Sequence, residues 1–282
     1  MKIITLVENT AANPDCIAEH GLCLYIETKK HKLLLDTGAS EALLHNAKAL
    51  DIDLTQVDTV ILSHGHYDHS GGLLAFAALN PDAKIYMQRT ALEDYYHGER
   101  YIGIDKGIAD LPGLQLLDGN FTIDEELSLF TNITGRRFWP QSNIGLTKRV
   151  PLNFGEKQQA PCVYELQQDQ FDHEQCLVLT LEEGNVLLSG CAHNGILNLL
   201  ERYEQLYRTV PKLVISGFHM MKKDGAYTEE ETTVIRETAS ELSRYENTLF
   251  YTGHCTGLPA FDLMKPILGD RLQPLQTGTV IR

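Results

Sequence analysis

Ser63-His64-Gly65-His66-Tyr67-Asp68-His69-Ser70-Gly71-Gly72 is the stretch on which the reading of this chain turns. It follows an apolar run at 57–62 that has the Val, Ile and Leu content of a short strand. Four potential metal ligands fall within six residues, in the order His-x-His-x-Asp-His. The chain's own composition would produce that pattern by chance about once in a thousand sequences. His64 and His66 are two residues apart, so an extended backbone points both to one side, where they can share an ion. Asp68 and His69 fall where the chain bends towards a helix and can address a second ion close by. Imidazole and carboxylate together suit zinc, iron or manganese. Gly71 and Gly72 let backbone pass close to the site before the helix begins.

Outward from this segment, apolar runs alternate with helical patterns. Strands are expected at 2–8, 22–28, 32–36, 57–62, 84–87, 127–132, 176–181, 186–189, 212–216, 248–252 and 272–275. Lys29-Lys30-His31 and Glu183-Gly184-Asn185 have the composition of hairpin turns. Ile196, Leu199, Leu200, Tyr203, Leu206 and Tyr207 repeat at helical spacing, as do Ile235, Thr238, Ala239, Leu242 and Tyr245. Thr228 and Glu231 form a capping-box pair at the start of the second of these. Shorter helices fit 41–50, 73–79 and 259–268. Hairpins mixed with strand–helix crossovers predict an α/β fold with mixed sheets. From about 91 to 160 the rhythm breaks, with Gly135-Arg136-Arg137-Phe138-Trp139-Pro140 at its centre. A long aperiodic insert in a single domain spanning 1–282 reads either as a cover over the site or as a solvated excursion.

The 282 residues carry a formal charge of −14, with 43% hydrophobic and 22% charged side chains. That is a soluble globular composition, long enough to bury a full core without disulfides. The acidic balance argues against a nucleic-acid partner, which needs basic patches. No run approaches the ~20 apolar residues that span a bilayer, and the first residues do not read as a signal peptide. Cys16, Cys23, Cys162, Cys176, Cys191 and Cys255 contain no CxxC pair, and are expected to be reduced thiols in a cytoplasmic protein.

The His motif resembles that of the metallo-β-lactamase superfamily. Leu33-Leu34-Leu35-Asp36-Thr37-Gly38 is similar to that family's LxDTG strand end. Gly190-Cys191-Ala192-His193, Gly217-Phe218-His219 and Gly253-His254-Cys255-Thr256-Gly257 each bring a His to a strand end. Together with Val7-Glu8-Asn9-Thr10 and Glu19-His20-Gly21-Leu22, the ordered set resembles one branch, the dihydropterin-methyl-ribofuranosylaminobenzene-phosphate synthases of methanopterin formation. The resemblance implies a four-layer αββα sandwich of two mixed β-sheets flanked by helices, and an Asp36 that orients ligands from a buried position. It also implies two divalent metal ions, zinc before iron or manganese. The family's usual Gly-Asp, whose Asp bridges both ions, is replaced here by Gly190-Cys191. No Pro-Gly-His-Thr segment supplies the usual third His of the first site. The ligand set expected is therefore His64, His66 and His193 for one ion, and Asp68, His69 and His254 for the other. Cys191 either bridges as a thiolate or is a buried thiol beside them.

The implied activity is hydrolysis of a small, phosphorylated or unphosphorylated, molecule by a metal-activated water, with Asp68 orienting that water. Two alternatives stand beside it. One is a synthase joining a dihydropterin to a ribofuranosylaminobenzene phosphate. The other is an iron-based oxidoreductase or redox sensor. His219 reads as a substrate contact, a proton donor or a packing residue, and His20 shares that ambiguity as a substrate-binding residue. His31, His45, His97 and His173 are expected to take no catalytic part. Arg136 and Arg137, with Lys148 and Arg149, read as a phosphate-binding group or as ordinary surface charge. Phe138 and Trp139 read as a stacking surface for a flat ring or as packing.

Overall fold

The strand Lys2–Val7 shows how this sequence makes layers. Ile4 and Leu6 face one apolar cluster, while Ile3, on the opposite pleat, faces another. The same division recurs at Leu34 against Leu33 and Leu35, and at Val214 against Leu213 and Ile215. Strands apolar on both faces must be covered on both faces. The computed structural model, which describes residues 1–152, 163–222 and 225–282, satisfies that demand with two stacked sheets and outer helices.

The first sheet runs in the order Val280–Ile281, Lys2–Val7, Cys23–Glu27, Lys32–Leu35, Thr59–Ile61, Lys84–Gln88, Leu114–Leu117. The second runs Leu272–Pro274, Leu249–Thr252, Leu213–Ile215, Val186–Leu188, Cys176–Leu179, Leu127–Phe130, Phe121–Thr122. Each is antiparallel through its hairpins and parallel from Lys32–Leu35 or Val186–Leu188 onward. Helices Ala42–Ala49 and Leu73–Leu79 cover the first sheet; Ile196–Tyr207, Glu229–Leu242 and Leu258–Leu268 cover the second. Leu24, Leu33, Leu35, Leu177, Leu188 and Ile215 close the space between the sheets, all fully buried. At about 1.5–3 kcal/mol per buried side chain, this central layer is a principal source of stability. The fold is the expected αββα sandwich, and every expected strand and helix has its counterpart.

The capping box at Thr228 is complete, with the Thr228 hydroxyl accepting from the Glu231 N–H and the Glu231 carboxylate accepting from the Thr228 N–H. Gly71 is required by close approach, since a Cβ there would overlap the Ala39 carbonyl.

The segment 91–160 is not one excursion. Leu114–Leu117 and Leu127–Phe130 return to the two main sheets. Tyr95–His97, Arg100–Tyr101 and Leu146–Pro151 join the later strand Tyr164–Gln168 in a third sheet, in the order Tyr164–Gln168, Leu146–Pro151, Tyr95–His97, Arg100–Tyr101. Residues 153–160 of the expected insert, and Cys162, lie outside the described residues. Among the described residues no helix is long and apolar enough to cross a membrane.

The far end of the sandwich is tied by His31. Its Nδ1 lies 2.8 Å from Asp58 Oδ1 and its Nε2 2.7 Å from Asp124 Oδ2, the carboxylates coming from the two different sheets. Both nitrogens can donate only in the imidazolium form. Burial alone would lower the His31 pKa, but Asp124 and Asp58 outweigh it and raise it above the ordinary 6.5. A raised His pKa contributes stability that is complete below the ordinary value and fades as pH rises through the raised one. His31→Gln is therefore expected to lower Tm more at pH 5.5 than at pH 9, measured by thermal melts. An equal loss at both would show that the pairing carries no charge.

Candidate metal centre

The parallel strands of both sheets end at one edge, and the turns that follow carry the candidate ligands. Asp36 follows Lys32–Leu35, the His64–His69 segment follows Thr59–Ile61, and His193 follows Val186–Leu188. His219 follows Leu213–Ile215, and His254 follows Leu249–Thr252. Four non-glycine residues here hold positive φ: Asp36 at 61°, Ala192 at 49°, His219 at 50° and His254 at 50°. Such backbone costs about 1–3 kcal/mol per residue and persists only where its surroundings enforce it.

Hydrogen bonds fix which ring nitrogen of each histidine carries the proton. Ser63 Oγ donates to Asp36 Oδ2 at 2.7 Å, so the 2.8 Å contact between Ser63 Oγ and His64 Nδ1 has the imidazole as donor. His69 Nδ1 donates to Asp36 Oδ2 at 2.6 Å. Asn143 donates its amide to the His193 carbonyl and accepts from His193 Nδ1 at 2.9 Å. Asn9 does the same for His254, with Oδ1 3.0 Å from Nδ1. In the neutral imidazole each of the four rings thus turns Nε2 inward as its acceptor. Burial would lower the His69 pKa, but Asp36 and Asp68 outweigh it and raise it above the ordinary 6.5. His64 and His193 Nε2 stand 3.3 Å apart, and His69 and His254 Nε2 stand 3.2 Å apart. Facing lone pairs at that distance repel unless a cation lies between them. His66 Nε2 points to the same place and is buried without a hydrogen-bond partner among the described residues. These donors fit a metal centre.

The donors cluster as His64, His66 and His193, as His64, His69 and Cys191, and as His20, Asp68 and His254. Ligand atoms of His64, His66 and His193 lie within 4.8 Å of one another. Asp68 Oδ2 is 3.9 Å from His69 Nε2 and 3.4 Å from His254 Nε2. Cys191 Sγ sits 3.2 Å from His69 Nε2 and also groups with His64, which puts it between the two sets. Burial holds the His64 and His193 pKa values well below the ordinary 6.5 and brings His66 down to about 3. Neutral imidazole is the form that binds metal. Burial opposes the charge on Asp68, but His69, His20 and His254 around it keep the carboxyl well below the usual range.

A Lactamase_B model, described as the metallo-β-lactamase superfamily, matches residues 17–136, a span that contains the LxDTG strand end and the His motif. The chain has the metallo-β-lactamase fold, and its N-terminal part matches that superfamily's model. It is 27% identical to a 7,8-dihydropterin-6-methyl-4-(beta-D-ribofuranosyl)-aminobenzene-5'-phosphate synthase of Methanocaldococcus jannaschii, over 100% of this chain and 96% of that one. A solved structure described as a metal-dependent hydrolase of the β-lactamase superfamily superposes with a TM-score of 0.80 at 27% identity, over 100% of this chain and 98% of that one. Zinc-bound PqqB from Methylobacterium extorquens shares the fold, with a TM-score of 0.54 at 11% identity over 100% of both chains.

Around this metallo-β-lactamase centre a cleft of about 160 Å³ opens between His66, Asp68, Cys191, His193 and His219 on one side and His97, Arg100 and Ile102 on the other. His20 also lines it, with Nε2 3.3 Å from Asp68 Oδ2. Both ring nitrogens of His219 are buried with no oxygen or nitrogen partner among the described residues, and one groups with the thiols of Cys191 and Cys255.

Arg136 and Arg137, expected as substrate-binding residues, do not line this cleft. Their loop is docked on the first turn of Ile196–Tyr207, where Asn198 accepts from the Arg137 N–H and donates to the Arg137 carbonyl. Arg136 is thereby turned to Asn194 Oδ1, and Arg137 to Glu241 at 2.6 Å. Lys148 and Arg149 pair with Glu93 and Asp94. Trp139 packs on Phe171, and Phe138 on the second sheet's outer cluster.

Sequence reasoning missed the supports of the ligand loops. Glu174 accepts from the backbone N–H of His193 at 2.6 Å and of Asn194 at 2.9 Å. His173 accepts from the Gly65 N–H through Nδ1 and donates to Asp169 through Nε2, so neither nitrogen is free for a metal. Asn9 and Glu8, whose Oε1 accepts from the His254 N–H at 2.6 Å, both lie within the Val7-Glu8-Asn9-Thr10 motif, and Asp36 was expected from the resemblance.

Asp36→Asn tests the proton assignment. An amide in place of Oδ2 would force His69 Nδ1 to accept and would move its proton to Nε2. Divalent-ion affinity is expected to fall about 10–100-fold, as for other lost ligand-orienting groups, read by competition with a chromogenic chelator. Unchanged affinity would refute the tautomer assignment.

Proposed function

We propose that this chain is a divalent-metal-dependent hydrolase of a small molecule, with a phosphorylated substrate as the more specific reading. The observation that carries it is the inward-facing set of unprotonated imidazole nitrogens, each fixed by an acceptor behind its ring. His64, His66 and His193 would hold one ion, and Asp68, His69 and His254 a second. Cys191 lies where a bridging thiolate would be needed. Burial pushes its thiol well above the ordinary range, so it is the neighbouring cations that would deprotonate it. Imidazole, carboxylate and thiol donors together favour zinc.

A divalent cation in such a site supplies Lewis acidity and brings the pKa of water to about 7. The protein's own groups do the rest. Asp68, held as a carboxylate, can accept a hydrogen bond from the attacking water and orient it. His219, on the cleft with no oxygen or nitrogen partner among the described residues, is placed to pass a proton to a departing group. The hairpin carrying His97 and Arg100 narrows access to the cleft.

His193→Ala is expected to lose one equivalent of metal and at least a thousandfold of turnover on a panel of phosphodiesters, phosphomonoesters and lactones, with unchanged circular dichroism. Unchanged metal content would overturn the assignment. A second reading, condensation of a dihydropterin with a ribofuranosylaminobenzene phosphate, is favoured by the whole-chain similarity to the named synthase. It is tested by supplying both substrates and looking for the joined product by mass spectrometry.

A further inference from the structure

Arg100 is the arginine that lines the cleft beside the candidate metal donors. In a chain of net charge −14, Arg89, Lys106, Arg137, Lys148 and Lys222 each meet a carboxylate. Arg100 has no carboxylate partner among the described residues, although it borders the same cleft as Asp68, His66 and His193. Its guanidinium carbon lies 4.9 Å from the centre of the Tyr67 ring, and Tyr67 precedes Asp68 in the ligand segment.

The hairpin sets this position. Tyr95–His97 pairs antiparallel with Arg100–Tyr101, Gly98 turns the chain at φ 60°, and His97 stands directly opposite Arg100. Directly opposed residues share a face of the ribbon. Here His97 and Arg100 both line the cleft, while Tyr96 and Tyr101 meet edge to face on the other side. One hairpin thus presents two basic side chains beside the inward-facing metal donors. Tyr67 occupies the face of the guanidinium and leaves its N–H edge for a planar pair of acceptors.

We infer that Arg100, with His97 beside it, is the subsite for an anionic group of the substrate, a phosphoryl or carboxylate oxyanion. The inference rests on the metal-centre reading for the location of the reacting bond, but Arg100 can be tested apart from it. An arginine fork binds either oxyanion with two parallel hydrogen bonds, which lysine cannot reproduce. An acidic protein gains from such a subsite, because its overall field repels the anions that it would have to admit.

The test is calorimetric titration of inorganic phosphate, and separately of acetate, into the zinc-loaded full chain, with zinc content measured in every sample. Arg100→Gln is expected to weaken phosphate at least tenfold, the scale of a lost charge-assisted hydrogen bond. Arg100→Lys should recover part of that loss, and Arg89→Gln, a distant exposed control, should change nothing. A loss confined to phosphate assigns a phosphoryl group, one confined to acetate a carboxylate, and a loss of both an oxyanion site in general. Wild-type binding in Arg100→Gln at equal zinc content, or no binding of either anion to the wild type, overturns the inference. A wild type that retains no zinc sinks the metal reading instead. Arg100 is then read from the same titrations on the metal-free chain.

Discussion

One buried carboxylate organises the edge of this sandwich. Asp36, fully buried and at φ 61°, accepts from the Ser63 N–H, the Ser63 hydroxyl and His69 Nδ1. An ionised carboxylate in that position would be very costly without such donors. With them it sets the direction in which the chain leaves the strand Thr59–Ile61 and the orientation of two imidazoles. His69 is held directly, and His64 through the Ser63 hydroxyl. The positive φ that brings the carboxylate into place is one that aspartate tolerates better than most residues. Ligand geometry on the first sheet therefore depends on a residue that need not touch a metal.

The second sheet reaches the same result with neutral groups. Asn9 and Asn143 each clamp a histidine from behind, pairing amide and carbonyl with that residue's own backbone and ring. Glu174 fixes the loop that carries His193. Asn9 and Asn143 come from a strand end near the N-terminus and from the loop ahead of the third sheet, so the site is braced by elements remote in sequence.

The layers of the fold were legible because strands buried on both faces are nearly continuous runs of Leu, Ile and Val, and a solvated loop or half-exposed strand could not carry such runs without leaving apolar surface in water. The ligand segment was legible because metal chemistry demands particular residues at particular spacing. The third sheet was not. Arg100–Tyr101 and Tyr164–Gln168 are exposed along their whole length, and Leu146–Pro151 mixes Thr, Lys and Arg with its apolar residues. Pairing there rests on backbone hydrogen bonds and leaves no hydrophobic period to read. The arginines went astray for a related reason. Arg136 and Arg137 sit in a dense aromatic and basic tract, which says nothing about where a loop points, and Asn198 turns that loop away. Arg100 lies in a plain-looking hairpin, and its place on the cleft comes from a register that only three dimensions show.

The inward-facing donors are divided between the two halves of the chain. Those before residue 70 come from the first sheet, while His193 and His254 come from the second. During synthesis His64, His66, Asp68 and His69 leave the ribosome well over a hundred residues ahead of their partners. The emerging N-terminal half carries only part of the donor set. The two groups of donors meet only once the two sheets have closed on one another.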